Sequence, residues 1–280
     1  MSITPKNGNY HSHLDHSTDP EDAMEKIKTA QSISISPELF EKLYLSPPNK
    51  VKGDLRRTFG NPTPIALVGF LIALTPLSCD LMGWRGASGN GAAAIGAYFF
   101  FGGGLQLITG VLEWILGNTF PSVVFSTFGA FFLTFGATLS PDYYAYASYA
   151  PAGEDATAGL ATQGFNASFG FFTLWMGVLC LIFLVCSVRT NVCFFIIFLT
   201  LVIAFALLTG AYFLLAEDYT GNAALAGKLI VGAGASTLVT CAMGWWILAA
   251  ILLASLDFPF SLPVGDLSSV VKGASDKEKV

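Results

Sequence analysis

For its first 60 residues the chain is polar and carries charges of both signs, and from Asn61 onward apolar residues dominate as far as Leu256. Within that region six stretches reach the roughly 20 mostly apolar residues that a helix needs to cross a bilayer: about 64–83, 92–117, 119–139, 168–188, 191–215 and 229–255. Only a few residues separate the second from the third and the fourth from the fifth, and such short links predict antiparallel neighbours. The pattern predicts an all-α integral membrane protein. Its core is a six-transmembrane-helix bundle over 61–256, preceded by a disordered cytoplasmic tail over 1–35 and an amphipathic pre-membrane segment over 36–60. A cytoplasmic C-terminal tail is expected over 257–280.

Composition agrees: the chain is 53% hydrophobic and 12% charged, whereas about a quarter of the residues of a soluble domain are charged. Of the 14 Lys and Arg, eight precede Asn61 (Lys6, Lys26, Lys28, Lys42, Lys50, Lys52, Arg56, Arg57) and three follow Asp266. Arg85, Arg189 and Lys228 are left for the whole apolar region. Because Lys and Arg collect at cytoplasmic span ends, an N-inside arrangement puts Lys50, Lys52, Arg56, Arg57, Arg189 and Lys272 in the cytosol. The outer loops then hold Asp80, Asp142, Glu154, Asp155, Glu217 and Asp218 with Arg85 and Lys228. The formal charge of −5 belongs mostly to solvated tails and loops, and nucleic acid is not an expected partner.

Other chemistry-bearing residues change little. Cys79, Cys180, Cys186, Cys193 and Cys241 lie in apolar sequence without a CxxC pair and read as small packing residues. His11, His13 and His16 have a chelating spacing but fall in the polar tail, where disorder is the simpler reading. The first 60 residues contain no apolar h-region, so the first span is expected to direct insertion. No nucleotide-binding loop, HExxH or nucleophile elbow appears, which argues against an enzyme, and no cofactor is implied. Ser36-Pro37 followed by Leu39, Phe40, Leu43 and Tyr44 predicts a short amphipathic helix ended by Pro47-Pro48, suited to the headgroup region or to a neighbouring subunit.

The boundary between tail and membrane is Gly60-Asn61-Pro62-Thr63-Pro64. Each proline biases the residue before it away from helical geometry, so Asn61 and Thr63 are expected in extended backbone, with Pro64 as the first helical residue. This is either a capped span or a mouth in which Asn61 and free backbone groups face a solute path, since irregular backbone at membrane depth is tolerated only in protein or beside water.

In the second span Gln106, Thr109, Gly110 and Glu113 recur at helical spacing, and Gly102 extends their stripe by a turn. Lipid offers such a stripe no partner, so it faces the bundle interior or water. It serves either as interhelical glue or as a path lining, and Gln106, near mid-membrane, favours the lining. Small and hydroxyl residues form stripes in other spans as well: Ser122, Ser126, Gly129 and Gly136; Thr173, Gly177, Cys180 and Ser187; Gly232, Ser236, Thr240 and Gly244. These fit helix packing better than pore lining. The connection from Ser140 to Gln163 is free of Lys and Arg and is placed to cap the outer mouth. Asn166-Ala167-Ser168, a sequon by pattern, abuts the fourth span too closely to be modified.

Asn61-Pro62-Thr63-Pro64 with Leu67-Val68-Gly69-Phe70 resembles the opening of the acetate uptake transporter family, the six-helix acetate and succinate permeases. Phe101-Gly102-Gly103-Gly104-Leu105-Gln106, Gly110, Glu113 and Gly117-Asn118-Thr119-Phe120 resemble its second span and exit. Ser126-Thr127-Phe128-Gly129-Ala130, Leu174-Trp175-Met176-Gly177, Arg189-Thr190-Asn191, Gly244-Trp245-Trp246 and Leu262-Pro263-Val264-Gly265 follow in the same order. The likeness spans about residues 55–267, and Ser36 to Pro47 is similar to fungal members.

The resemblance implies a homohexamer in the plasma membrane, each subunit with its own path for acetate and related small carboxylates, succinate included in some members. It also implies a narrow apolar constriction at Phe70, Phe128 and Leu201. Two positions depart from the family pattern: Phe128 stands where Tyr is common, which removes a hydroxyl able to bond a carboxylate, and Ala66 interrupts the usual Leu-Gly. The substrate-path candidates are Asn61, Thr63, Gln106, Thr109 and Glu113, as solute contacts or as groups that hold the path open. An apolar collar gates by dewetting, and so few fixed cations favour weak multi-site binding or passage of the protonated acid. Two other readings stand beside this one: a channel for a small neutral or weakly basic solute such as ammonia, and a non-transporting membrane scaffold.

The Lys and Arg asymmetry makes a topological prediction. A cysteine introduced as Glu154→Cys should react with an impermeant reagent on intact cells, and Lys52→Cys only after permeabilisation; the reverse pattern overturns the N-inside arrangement.

Overall fold

A backbone amide in hydrocarbon finds no water, so a chain that crosses it keeps its hydrogen bonds within helices. The computed structural model describes residues 59–267 and Val271; the tail over 1–35, the amphipathic segment as far as 58 and most of the C-terminal tail lie outside the described residues. Six helices are long and apolar enough to cross a membrane: α1 (Thr63–Leu81), α2 (Gly89–Ile115), α3 (Thr119–Leu139), α4 (Gln163–Ser187), α5 (Val192–Glu217) and α6 (Ala223–Ser255). The third has the bounds that the apolar pattern predicts. The fourth starts at Gln163 rather than 168, because the Thr162 hydroxyl accepts the Phe165 N–H at 3.4 Å and caps a helix that begins in polar sequence. Asn166 therefore lies inside α4, buried, with its amide donating to the Leu160 and Thr162 carbonyls. Helix α6 starts at Ala223 rather than 229, and its 33 residues extend about 50 Å at 1.5 Å per residue.

The helices pack in the spatial order α4, α5, α6, α1, α2, α3. Ring contacts between α3 and α4 close the circle: Phe120 and Phe183 at 6.0 Å, Phe128 and Phe183 at 6.4 Å, Phe131 and Phe172 at 6.0 Å. Hydroxyls join the other neighbours. Thr173 and Thr209 meet at 3.0 Å between α4 and α5, Thr200 and Thr240 at 2.6 Å between α5 and α6, and the Ser122 hydroxyl donates to the Gly110 carbonyl at 2.8 Å between α3 and α2. The small and hydroxyl stripes of the sequence thus lie at helix contacts, where each such bond contributes about 0.6 kcal/mol on average.

Helix α2 is irregular. It opens on a kink, with Gly89, Asn90 and Gly91 all at positive φ, passes through a short 3₁₀ turn to Ala94 and on through Ile95–Ala97, widens into a π-helix over Tyr98–Leu105 and returns to α over Gln106–Ile115. Its glycines let it lie close to both neighbours: a Cβ on Gly102 would stand 2.6 Å from the Phe132 ring and 2.9 Å from the Ala73 Cβ. On the other side of that contact, a Cβ on Gly69 of α1 would stand 2.5 Å from the Phe101 carbonyl oxygen.

Two connections are docked rather than loose. In the α3–α4 connection Tyr146 and Ala147 are buried with Phe165, and the Tyr149 hydroxyl donates to Ser168 at 3.3 Å. The Thr157 hydroxyl and N–H hold the exposed Asp155 carboxyl there below the usual carboxylate range. A lowered value in the folded chain means that this cap is in place above the ordinary carboxylate pKa and is lost as the pH falls through the folded value. At the opposite ends of the helices, residues 262–267 fold back on the α4–α5 link. Asn191 and Asp266 form an antiparallel bridge, the Val192 N–H donates to the Gly265 carbonyl at 2.8 Å, and the Trp246 indole donates to the Pro263 carbonyl at 2.8 Å.

Close helix contact gives a stability prediction. In Gly110→Ala the new Cβ collides with the Ser126 hydroxyl and stands 3.0 Å from the Ser126 nitrogen; overpacking of this kind costs about 1–3 kcal/mol. Nothing lies within 4 Å of a Cβ on Gly227 in α6, so Gly227→Ala should leave stability unchanged or raise it. Thermal melting of the purified variants in detergent should separate the two, and equal melting temperatures would contradict the packing.

Candidate solute path

At the start of α1, Pro62 is the N-cap with φ −81° and ψ −18°, and Thr63 is the first helical residue. The expected extended backbone at Thr63 is therefore not found, and Pro64 is the second helical residue. Two bonds outweigh the local steric bias of the following proline: the Thr63 N–H donates to Asn61 Oδ1 at 3.0 Å, and its hydroxyl donates to Glu113 Oε1 at 2.5 Å. The other carboxylate oxygen of Glu113 accepts the Asn118 amide at 2.5 Å, and the Asn118 N–H donates to the Glu113 carbonyl at 2.8 Å. Glu113 is fully buried. One carboxyl group thereby ties the N-terminus of α1, the C-terminal turn of α2 and the α2–α3 link into a buried knot of hydrogen bonds. The Asn61 Nδ2 beside it is buried without a hydrogen-bond partner.

Gln106 and Thr109 are buried as well, and each turns back on its own helix. The Gln106 amide donates to the Gly102 carbonyl at 2.8 Å, within the π-helical stretch, and the Thr109 hydroxyl donates to the Leu105 carbonyl at 2.8 Å. Both satisfy carbonyls where α2 changes from π to α geometry.

The residues named for a constriction lie on one cavity. Phe70 and Phe128 pack edge to face at 6.0 Å, and with Leu201 they border a cavity of about 40 Å³. Leu74, Leu77 and Leu81 of α1, Phe131 and Phe132 of α3, and Ala204, Phe205 and Leu208 of α5 complete its apolar wall; Thr237 of α6 is the one polar residue in the lining. None of the described cations, Arg85, Arg189 and Lys228, borders it, nor do Asn61, Thr63, Gln106, Thr109 or Glu113. Toward the N-terminal end of α5 the bundle is filled by Phe120, Phe183 and Phe198, with ring centroids 5.6–6.1 Å apart.

A ring of six helices long and apolar enough to cross a membrane, with a small apolar cavity among them and a polar network set apart at one end, defines a polytopic membrane protein. The chain belongs to the GPR1/FUN34/yaaH family, whose model matches residues 46–269. It is 48% identical over 254 residues to Protein alcS of Aspergillus fumigatus, covering 90% of this chain and 92% of that one. It is 33% identical over 209 residues to the acetate transporter protein patA of Aspergillus clavatus, covering 75% and 79%. Among solved structures, the bacterial acetate channel SatP superposes with a TM-score of 0.57 at 25% identity, covering 74% of this chain and 99% of that one.

Two members of these groups escape a reading of the sequence. Asn118, the partner of Glu113, lies in a link outside any helical stripe, although it belongs to the Gly-Asn-Thr-Phe run quoted for the family resemblance. Thr237 lies one position after the Ser236 of the α6 stripe, and that offset turns it from α5 toward α1: the Ser236 hydroxyl donates to the Thr200 carbonyl, whereas Thr237 bonds Ser78.

The knot makes a prediction. Glu113→Ala strands two buried donors, Thr63 Oγ1 and Asn118 Nδ2, at about 1–3 kcal/mol each, so it should melt well below the parent protein and accumulate less in membranes. Glu113→Gln keeps one carbonyl acceptor and should recover part of the loss. If Glu113→Ala melts with the parent, the carboxylate does not hold these elements together.

Proposed function

We propose that this protein is a permease or channel for acetate and related small monocarboxylates, with one path inside each subunit and no enzymatic step. The observation that carries the reading is the apolar collar of Phe70, Phe128 and Leu201 on a cavity that no described cation borders. The names of relatives and of a solved neighbour as acetate transporter and acetate channel support it.

A carboxylate stripped of water and left without donors loses several kcal/mol, so this collar favours the protonated acid and closes to the anion by dewetting. In this reading Asn61, through its unpartnered Nδ2, meets the solute at the mouth. Thr63, Gln106, Thr109 and Glu113 hold α1 and α2 in place around the path and do not themselves select the solute. The Lys and Arg asymmetry supports cytoplasmic termini. Plasma-membrane residence and assembly as a hexamer belong to the same proposal, and the wide exposed apolar faces, Trp114 and Trp175 among them, suit lipid and neighbouring subunits.

Uptake of labelled acetate by protein reconstituted in liposomes tests the reading. Phe128→Tyr adds a hydroxyl donor to the collar, worth roughly 1.5–3 kcal/mol toward a charged group, and should raise acetate flux at neutral pH while mattering less near about pH 4, where the acid is largely neutral. Leu201→Ala should admit larger acids. Liposomes that conduct ammonia and no acetate would overturn the proposal in favour of a base channel, and liposomes that conduct neither would favour a scaffold.

A further inference from the structure

The cavity ends at the collar, and the rings on the collar's other side form a second layer. In α1, α3 and α5 the cavity wall runs from Phe70, Phe128 and Leu201 only toward the C-terminal ends of those helices, as far as Leu81, Phe132 and Leu208. Phe120 and Phe198 lie in the opposite direction. Phe120 comes eight residues before Phe128 in α3, about 12 Å along the axis, and Phe198 three residues before Leu201 in α5, about 4.5 Å. The two helices run the same way, since Phe120 meets Phe198 at 6.1 Å and Phe131 meets Phe205 at 5.5 Å. Phe183 of α4 joins the layer to the collar: its ring centroid is 6.0 Å from Phe120, 5.6 Å from Phe198 and 6.4 Å from Phe128. Phe183 and Phe198 are buried, and Phe120 is half-buried at the edge.

We infer that Phe120, Phe183 and Phe198 form a second, inner gate in series with the collar, with Phe183 as its moving part; the inference rests on the path through each subunit proposed above. A solute that leaves the collar toward the N-terminus of α5 meets three rings supplied by three different helices. They pack at steep angles, 85° between Phe120 and Phe183, 65° between Phe120 and Phe198 and 57° between Phe183 and Phe198, the edge-to-face arrangements that aromatic pairs favour. Hydrocarbon converging in this way excludes water, and a carboxylate with it. A phenyl side chain moves between staggered rotamers and carries no donor or acceptor, so Phe183 swings aside without leaving a buried polar group unpaired. The two closures divide the work. The collar passes solutes by size, and the inner layer decides when the cavity communicates with the side on which α5 begins.

Thiol labelling from each side tests the gate. Leu201→Cys places a reporter at the collar. Its rate of reaction with an impermeant, sulfonate-bearing methanethiosulfonate is measured in sealed vesicles of either orientation, over the background of the same protein with Leu201 intact. From the side on which α5 begins, the cytosolic side in the N-inside arrangement, the reporter should react slowly. Phe183→Ala removes the ring contacts that opening must break, so it should speed labelling from that side at least about tenfold and leave the rate from the other side within about twofold. An unchanged rate from the α5 N-terminal side, or an equal rise on both sides such as general loosening would give, overturns the gate. If Phe183→Ala does not reach the membrane, Phe120→Leu decides: a rise of about threefold is expected on the same side alone, and no rise overturns the inference. A reporter that reacts from neither side in any of these proteins sinks the path and the gate together. Vesicles whose parent protein takes up no labelled acetate, while labelling follows the expected pattern, sink the acetate reading and leave the gate standing.

Discussion

A carboxylate buried among helices that cross hydrocarbon must be given its partners by the fold, because no water is there to supply them. Glu113 sets that demand here. Its oxygens take the Thr63 hydroxyl and the Asn118 amide, and those two groups come from elements that no local rule brings together. The position of the α1 N-terminus, the bend after α2 and the start of α3 all follow from satisfying one side chain. Thr63 even becomes helical in front of a proline, against its local bias, with its N–H on Asn61 and its hydroxyl on Glu113.

The interior separates two kinds of order. At the Glu113 end the bundle is held by directional hydrogen bonds; through its middle it is held by aromatic rings. Phe70, Phe128, Phe132, Phe183 and Phe198 interlock at centroid distances of 5.6–6.4 Å. Such contacts add about 0.5–1.5 kcal/mol beyond buried area and can rearrange by side-chain rotation without stranding a polar group. A polar plug would carry a desolvation cost each time it opened.

Much of this order is legible in the chain. The six spans stand out because each needs about 20 apolar residues, and α3 falls on its predicted bounds of 119–139. The buried stripe of Gln106, Thr109 and Glu113 is legible because helical spacing fixes which residues share a face. Spacing does not say what that face meets: Gln106 and Thr109 bond their own helix, and Glu113 bonds Thr63 of α1 and the link residue Asn118. That Phe70, Phe128 and Leu201 border one cavity depends on how three helices pack, and the trio entered through resemblance to a family rather than through any pattern within one span. The early start of α4 was hidden because its first turn, Gln163 to Asn166, is polar and is stabilised by the Thr162 cap and the Asn166 amide rather than by lipid.

The π-helical stretch of α2 changes the phase of everything after it. A wide turn holds one residue more than an α-turn, so it rotates the following segment by about 100° relative to an uninterrupted helix. Gln106, Thr109 and Glu113 share a face through α-helical spacing, and the wide turn over Tyr98–Leu105 sets the phase of that face relative to the residues before it. Deleting a residue there would leave an acceptable apolar span of nearly the same length while swinging Glu113 away from Thr63. The register of α2 is thus a property of chain length between two glycine contacts, and this helix tolerates substitution on its outer face far better than a shift in frame.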